Sequence, residues 1–309
     1  MTAIICGVDV CAAWLDANVR GVEDGYRRFE NSTVGIAALA AFCRQREVGL
    51  VAMEATGGHE RLAFGLLWTE GLPSAIVNPR SVRQFAQAMG LLEKTDRIDA
   101  EAIAWYAEAK RIVPRAPATA DQQTLAAAVT RLRQLVDLRT MQSNQRRLVR
   151  DPDASRTFDE LLALIARQIR ALESRIVALI GSDPVWSKLD ETFRSVKGVA
   201  GRTVARLLAE MPEIGTLSGK AVAKLAGLAP LANDSGKRTG RRSVRGGRSG
   251  VRSILFLVAA VVAKHEPDFA AFQRKLAGAG KPKKAIRIAI ARKLLVRLNA
   301  KARDVRAQI

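Results

Sequence analysis

Short apolar runs alternate with amphipathic stretches along the first 110 residues, and this alternation restricts the fold more than any other feature of the chain. Three strand-like runs come first, after which helical and strand-like stretches take turns, an order typical of a mixed α/β sheet. Asn31-Ser32-Thr33 is typical of a helix start. The sequence predicts strands over Ala3–Val10, Ala13–Arg20, Tyr26–Glu30, Gly49–Glu54 and Pro73–Val77, and helices over Val34–Arg46, Glu60–Glu70, Ser81–Met89 and Arg97–Lys110.

The remainder of the chain has a helical pattern. Apolar residues recur at helical spacing over 125–150 and again over 158–179, and Asp151-Pro152-Asp153 separates the two stretches. Two long amphipathic helices joined by a tight turn predict an antiparallel hairpin, or a coiled-coil dimerisation arm. A mostly α-helical domain follows. We therefore expect an α/β domain joined to all-α parts, with boundaries at 1–115, 116–183 and 184–309.

Basic side chains are concentrated in the second part of the chain. The whole chain has 50 Lys and Arg against 30 Asp and Glu, a net charge of +20, yet residues 1–110 contain 11 basic and 14 acidic side chains. The net charge is therefore −3 up to residue 110 and +23 beyond it. Such a surplus suits a protein that lies along a polyanion and argues against an ordinary metabolic enzyme.

The three cysteines, Cys6, Cys11 and Cys43, do not provide a disulfide framework or a complete zinc site, so we expect small buried thiols in a reducing compartment. The longest apolar run, residues 253–263, is about half of the roughly 20 residues that span a bilayer. We expect a soluble intracellular protein with no signal peptide and no membrane partner.

Four acidic residues occupy the ends of predicted strands and the start of a predicted helix. Asp9 interrupts an apolar strand, Glu54 ends another candidate central strand, and Asp96 and Asp99 share one face at a helix start. Because converging carboxylates are tolerable only around a cation, this pattern predicts a site for Mg²⁺ or Mn²⁺, and two such ions about 4 Å apart can flank a phosphodiester. The alternative is a solvated or capping role, with Asp96 as the helix N-cap.

A glycine-rich basic stretch runs over residues 233–248. Residues 236–252, which overlap this stretch, contain seven Lys and Arg and no acid. Glycines let a backbone approach phosphates, and guanidinium groups hold phosphates in bidentate pairs. A serine hydroxyl among these cations could attack a phosphodiester, and the chemistry leaves Ser235, Ser243, Ser249 and Ser253 open as candidates. The alternative is a flexible nucleic-acid contact without catalysis.

Residues 195–208 resemble a helix-hairpin-helix unit, in which a glycine turn presents backbone N–H groups to a phosphate at a helix N-terminus. Lys197 and Arg202 would then contact nucleic acid. An ordinary helix entry explains the same spacing.

With these groups in place, the whole chain resembles the DEDD transposases of insertion sequences, also known as bridge-RNA-guided recombinases, and the order βββαβαβα resembles their ribonuclease-H-like, resolvase-like sheet. The matching blocks of the first domain are Gly-Val-Asp-Val at 7–10, Met-Glu-Ala-Thr-Gly at 53–57, Asn-Pro at 78–79 and Lys-Thr-Asp-Arg-Ile-Asp-Ala at 94–100. Those of the second are Gly-Leu-Ala-Pro at 227–230, Asp-Ser-Gly-Lys at 234–237, Val-Arg-Gly-Gly-Arg at 244–248 and Gly-Lys-Pro-Lys-Lys at 280–284.

The resemblance implies that Asp9, Glu54, Asp96 and Asp99 bind the metal and that Ser235 is the nucleophile, giving a 5′-phosphoserine and a free 3′-hydroxyl. It further implies a noncoding guide RNA that pairs with donor and target double-stranded DNA, so that base pairing selects the sequence. It also implies a dimer or tetramer in which the resolvase-like domain of one protomer meets the serine of another. The expected location is the bacterial cytoplasm, with association to the nucleoid when the protein is active. The expected nucleic-acid contacts are Lys197, Arg202, Lys237, Arg238, Arg241, Arg242, Arg245 and Arg248.

Two other functions fit the same residues. A metal-dependent, structure-selective DNA nuclease of the Holliday-junction type would use water as the nucleophile and leave Ser235 as a loop residue. A non-catalytic nucleic-acid-binding protein would need neither the acids nor the serine.

Overall fold

The computed structural model describes residues 3–93, 95–236, 239–240 and 242–308, and the chain divides into two compact units, Met1–Ala118 and Thr119–Ile309. Lys237, Arg238 and Arg241, expected to contact nucleic acid, lie outside the described residues. Within those residues, no helix is both long and apolar enough to cross a membrane.

The N-terminal unit is a five-stranded mixed sheet with helices on both faces, as the alternating pattern predicted. The strand order is β3-β2-β1-β4-β5, with β1 antiparallel to β2 and parallel to β4. Its elements are β1 (Ile4–Val10), β2 (Trp14–Val19), β3 (Tyr26–Glu30), α1 (Thr33–Gln45), β4 (Val48–Glu54), α2 (Glu60–Thr69), β5 (Ser74–Val77), α3 (Pro79–Ala88) and α4 (Asp96–Lys110).

Alternate residues of the central strands are buried in two separate apolar layers, one on each face of the sheet. Val8 of β1 and Met53 of β4 pack into one layer with α1 and α2. Ile5 and Ala52, one residue out of phase, pack into the other layer with α3 and α4. Because the period is two, Asp9 and Glu54 project on the side of α4.

Local signals explain most element boundaries. The Ser32 hydroxyl accepts a hydrogen bond from the Gly35 N–H and caps α1, as the predicted helix start requires. Thr95 caps α4 by accepting from the Ile98 N–H, so Asp96 is not the N-cap. The expectation of three buried thiols is confirmed for Cys6 and Cys43 and wrong for Cys11, which is exposed because it lies in the turn after β1.

The C-terminal unit is helical and encloses one apolar core. Its elements are α5 (Ala120–Arg146), α6 (Pro152–Ser182), α7 (Pro184–Arg194), α8 (Gly201–Glu210), α9 (Gly219–Leu225), α10 (Ser249–His265), α11 (Pro267–Gly278) and α12 (Lys283–Ala307). The long helices α5 and α6 pack against each other, and α12 packs against α7, α9, α10 and α11. The mostly helical character is confirmed, whereas a coiled-coil role for α5 and α6 stays a prediction.

Candidate functional site

The register of the sheet places three charged side chains in one row across β1, β2 and β3. Asp9 lies opposite Asp16, and Asp16 lies opposite Arg28. Directly opposite residues point to the same face of a sheet, so all three project on the side of α4. Glu54 follows Met53 on β4 as Asp9 follows its partner Val8 on β1, which places Glu54 on the same face.

Helix α4 crosses this face at backbone contact because β1 has a glycine there. A Cβ on Gly7 would lie 2.1 Å from the Ala100 carbonyl oxygen and 2.5 Å from the Ala104 nitrogen. Asp96 and Asp99 occupy the first turn of α4, just N-terminal to these two alanines. The close crossing therefore brings the start of α4 toward Asp9, and we call Asp9, Glu54, Asp96 and Asp99 the carboxylate face.

Electrostatics indicate that three of these acids are near one another. Burial raises the pKa of Asp9 most, and the negative charges of Asp99, Asp96 and then Asp16 raise it further. A carboxyl whose ionised form is disfavoured by neighbouring carboxylates would be relieved by a cation at the same place.

Asp16 and Arg28 complete the face and were not among the predicted site residues. Asp16 is buried, and its carboxylate accepts hydrogen bonds from the Tyr26 hydroxyl at 2.6 Å and from Arg28 Nε and Nη2 at 2.9 and 3.1 Å. Arg28 Nη2 also donates to Asp96 Oδ2 at 2.5 Å. An acid within the predicted strand 13–20 was a visible signal, but only the register shows that it faces Asp9.

The donor set of the carboxylate face fits a hard divalent cation, since all four residues supply carboxylate oxygens. Among the residues that the structure describes, no three acids, histidines or cysteines already lie close enough together to hold an ion. Asp96 Oδ2 accepts a hydrogen bond from Arg28 Nη2.

The second candidate site is the loop over residues 226–248 between α9 and α10, called the basic loop below. Asp234 organises its middle: Oδ1 accepts from the Gly240 N–H at 3.0 Å and Oδ2 from Arg242 Nη2 at 2.8 Å. Leu231 and Ser243 form an antiparallel bridge across it. Ser235, next to Asp234, is exposed. The loop is thus partly ordered around the candidate nucleophile.

The base of the basic loop is fixed to the helical core by Arg248. Its two terminal nitrogens bind the Glu213 carboxylate at 2.6 Å each, and one of them also donates to the Glu210 carbonyl at 2.8 Å. Arg252 donates to the Gly246 carbonyl at 2.6 Å. Arg248 therefore supports the loop, while Arg245 is exposed and Arg242 pairs with Asp234.

The rival serines are also accessible. Ser243 and Ser249 are exposed, the first in the backbone bridge and the second in the first turn of α10. Ser253 is exposed and lines a shallow cavity of about 330 Å³ with Phe256 and Ile288. Exposure alone does not distinguish these three from Ser235.

The two remaining predicted contacts are Lys197, in the turn between α7 and α8, and Arg202, in the first turn of α8. Gly198 has φ +99°, and a Cβ there would lie 3.1 Å from the Val262 nitrogen, so the turn packs closely on α10. The Lys197 N–H donates to Glu266 Oε1 at 2.8 Å, and Arg202 pairs with Glu173 of α6. The side chain of Arg202 is therefore paired within this chain, whereas the contact of Lys197 is made by its backbone.

Comparisons with known proteins match family models to two successive stretches of the chain. A DEDD transposase model matches residues 6–149, and the model of the IS116/IS110/IS902 transposase family matches residues 190–274. The pilin gene-inverting proteins of Moraxella lacunata and Moraxella bovis are each 29% identical over 260 residues, covering 79% of this chain and 76% of theirs. Thermus thermophilus RuvC, solved with a Holliday junction substrate, aligns over 36% of this chain and 99% of its own at 18% identity and a TM-score of 0.27.

Proposed function

The chain belongs to the DEDD transposases of the IS116/IS110/IS902 family, and on that premise we propose that it is an RNA-guided DNA recombinase that acts through a serine nucleophile. The family makes it a DNA recombination enzyme. Its relatives from Moraxella are named for inverting pilin genes, which is a rearrangement of DNA and supports strand exchange by this chain.

The observation that carries the proposal is the sheet register, which puts Asp9 and Glu54 on the face that α4 crosses at Gly7, with Asp96 and Asp99 in the first turn of α4. These four residues would hold Mg²⁺ or Mn²⁺. A bound ion would stabilise the negative charge that develops on a phosphodiester.

The proposed covalent step takes place at Ser235. Its Oγ forms a bond to phosphorus while the bond from phosphorus to the 3′ oxygen breaks. The serine loses its proton, the departing oxygen becomes a 3′-hydroxyl, and the 5′ end stays attached as a phosphoserine. The reverse reaction with another 3′-hydroxyl joins exchanged strands. Asp234 would position Ser235 by holding the loop, and the cations of the basic loop would hold the phosphates.

The assembly that we propose follows the family resemblance. The resolvase-like domain of one protomer would meet Ser235 of another, with α5 and α6 joining protomers into a dimer or tetramer. A noncoding RNA would pair with donor and target DNA. The basic side chains beyond residue 110, where the net charge is +23, would bind the phosphate backbones of these nucleic-acid helices.

The test of the chemistry is covalent trapping. Purified protein with its RNA, Mg²⁺ and end-labelled DNA should yield a covalent protein–DNA adduct that Ser235→Ala and Asp9→Asn abolish, whereas Ser243→Ala keeps it. If Ser235→Ala still cleaves DNA, the protein is a nuclease that uses water. If Asp9→Asn and Glu54→Gln leave every activity unchanged, the protein is a non-catalytic binder.

The test of RNA guidance is separate. RNA that copurifies with the protein expressed together with the DNA flanking its gene should be one short transcript of that flank. Recovery of cellular RNA without such enrichment would contradict guidance and leave the covalent chemistry untouched.

A further inference from the structure

Arg28 binds two acids that differ greatly in exposure. Its Nε and Nη2 hold both oxygens of Asp16, a carboxylate whose side chain is only 5% exposed, in a bidentate pair. Its Nη2 also donates to Asp96, whose side chain is 60% exposed. The buried pair is the anchor, because breaking it would leave a buried charge uncompensated. The exposed contact is the exchangeable one.

The geometry allows the two contacts to separate. A guanidinium terminal nitrogen has two N–H groups, so Nη2 can release Asp96 and keep its bond to Asp16. The Tyr26 hydroxyl also holds Asp16, which fixes the anchor from a second direction. Asp96 could therefore exchange Arg28 for another cation without rearrangement of the strands.

We propose that Arg28 is an internal counter-ion that occupies Asp96 and must be displaced from it before a divalent ion can bind the carboxylate face. This inference rests on the proposed function, because it assumes that Asp96 is a metal ligand. Arg28 is a positioning residue: it sets how readily the site is loaded and takes no part in the covalent step. The positive charge that neutralises Asp96 without metal also opposes the arriving ion.

Direct binding of Mn²⁺ to the full-length protein, followed by the electron paramagnetic resonance signal of free Mn²⁺, tests this inference without any activity measurement. Arg28→Gln should bind Mn²⁺ roughly two- to fivefold more tightly than the unaltered protein, the scale of one exposed charge pair. Arg28→Lys, which keeps the charge but loses the planar fork, should show a smaller increase.

Arg27→Gln is the matched control, because Arg27 lies on the same strand with the same charge but on the opposite face, over the Phe29 ring. It should bind Mn²⁺ as the unaltered protein does. Melting temperatures check that each variant folds. Should Arg28→Gln fail to fold, Arg28→Lys decides the question.

Three outcomes distinguish the counter-ion role of Arg28 from the proposed metal site on which it rests. Tighter binding in the Arg28 variants supports the counter-ion. Unchanged or weaker binding in folded Arg28 variants overturns it, provided that Asp9→Asn weakens Mn²⁺ binding. If Asp9→Asn binds Mn²⁺ as well as the unaltered protein, the proposed metal site itself is wrong, and the inference is lost with it.

Discussion

The carboxylate face and the basic loop hold their charged side chains by opposite means. In the first, sheet register and a helix crossing at Gly7 bring like charges together, and the apolar layers on both sides of the sheet supply the stability. In the second, opposite charges pair, with Arg248 on Glu213 and Arg242 on Asp234. Removing the charge of Asp9 should therefore stabilise the first region, whereas removing a paired arginine should destabilise the second.

The largest expected effect comes from the backbone crossing that places the carboxylate face. Gly7→Ala puts a Cβ within 2.1 Å of the Ala100 carbonyl, so α4 must move away from β1. We expect a loss of about 3 kcal/mol or more in the free energy of unfolding, measured by urea titration, together with loss of Mn²⁺ binding.

Gly65→Ala is the matched control for this substitution. Gly65 lies within α2, and a Cβ there meets nothing within 4 Å. Because alanine favours a helix, the variant should gain up to about 1 kcal/mol in stability. A Gly7→Ala protein as stable as the unaltered one would show that α4 does not need this close approach.

An intermediate effect should separate the two roles of arginine in the basic loop. Arg248→Ala removes the hydrogen bonds that its guanidinium donates to the half-buried Glu213 carboxylate and to the Glu210 carbonyl, and we expect a loss of about 1–3 kcal/mol in the free energy of unfolding. Arg245→Ala, at an exposed position, should change stability by less than about 0.5 kcal/mol.

Binding to double-stranded DNA should give the reverse order per unit of folded protein. Arg245→Ala should weaken binding and reduce the salt dependence of log K by about one, as the loss of one phosphate contact predicts. Filter binding over a series of salt concentrations measures both quantities. Equal stability losses in the two variants would contradict the structural role of Arg248.

The sequence predicted the order of strands and helices in the N-terminal unit because apolar periodicity records which face of each element is buried. It also singled out Asp9, Asp96 and Asp99, and the charges of Asp99 and Asp96 contribute to the raised pKa of Asp9, while their role as metal ligands stays a prediction. It could not identify Arg28 as the partner of Asp96, 68 residues away, because cross-strand register and helix docking depend on the assembled fold.

The same limit applies to the basic loop. Composition made Arg248 a candidate phosphate contact, yet its guanidinium group binds Glu213, 35 residues earlier in the chain. A run of arginines does not reveal which members have acidic partners elsewhere in the fold. Likewise, the lack of a disulfide framework or a complete zinc site led us to expect a buried Cys11, although the turn after β1 exposes it.

The smallest expected effect tests whether removing a charge from the carboxylate face raises the free energy of unfolding. Since the pKa of Asp9 is raised above 3.8 in the folded protein, its ionisation is easier in the unfolded chain and lowers stability as the pH rises above about 4.

Asp9→Asn removes this cost. The variant should match the unaltered protein below pH 4 and become more stable above it, by a few tenths to about 1 kcal/mol because Asp9 is only half-buried. Urea titrations between pH 3 and 8 measure the difference. A loss of stability in Asp9→Asn at neutral pH would mean that its carboxylate has a favourable partner in the folded chain, and the carboxylate face would then resemble the basic loop.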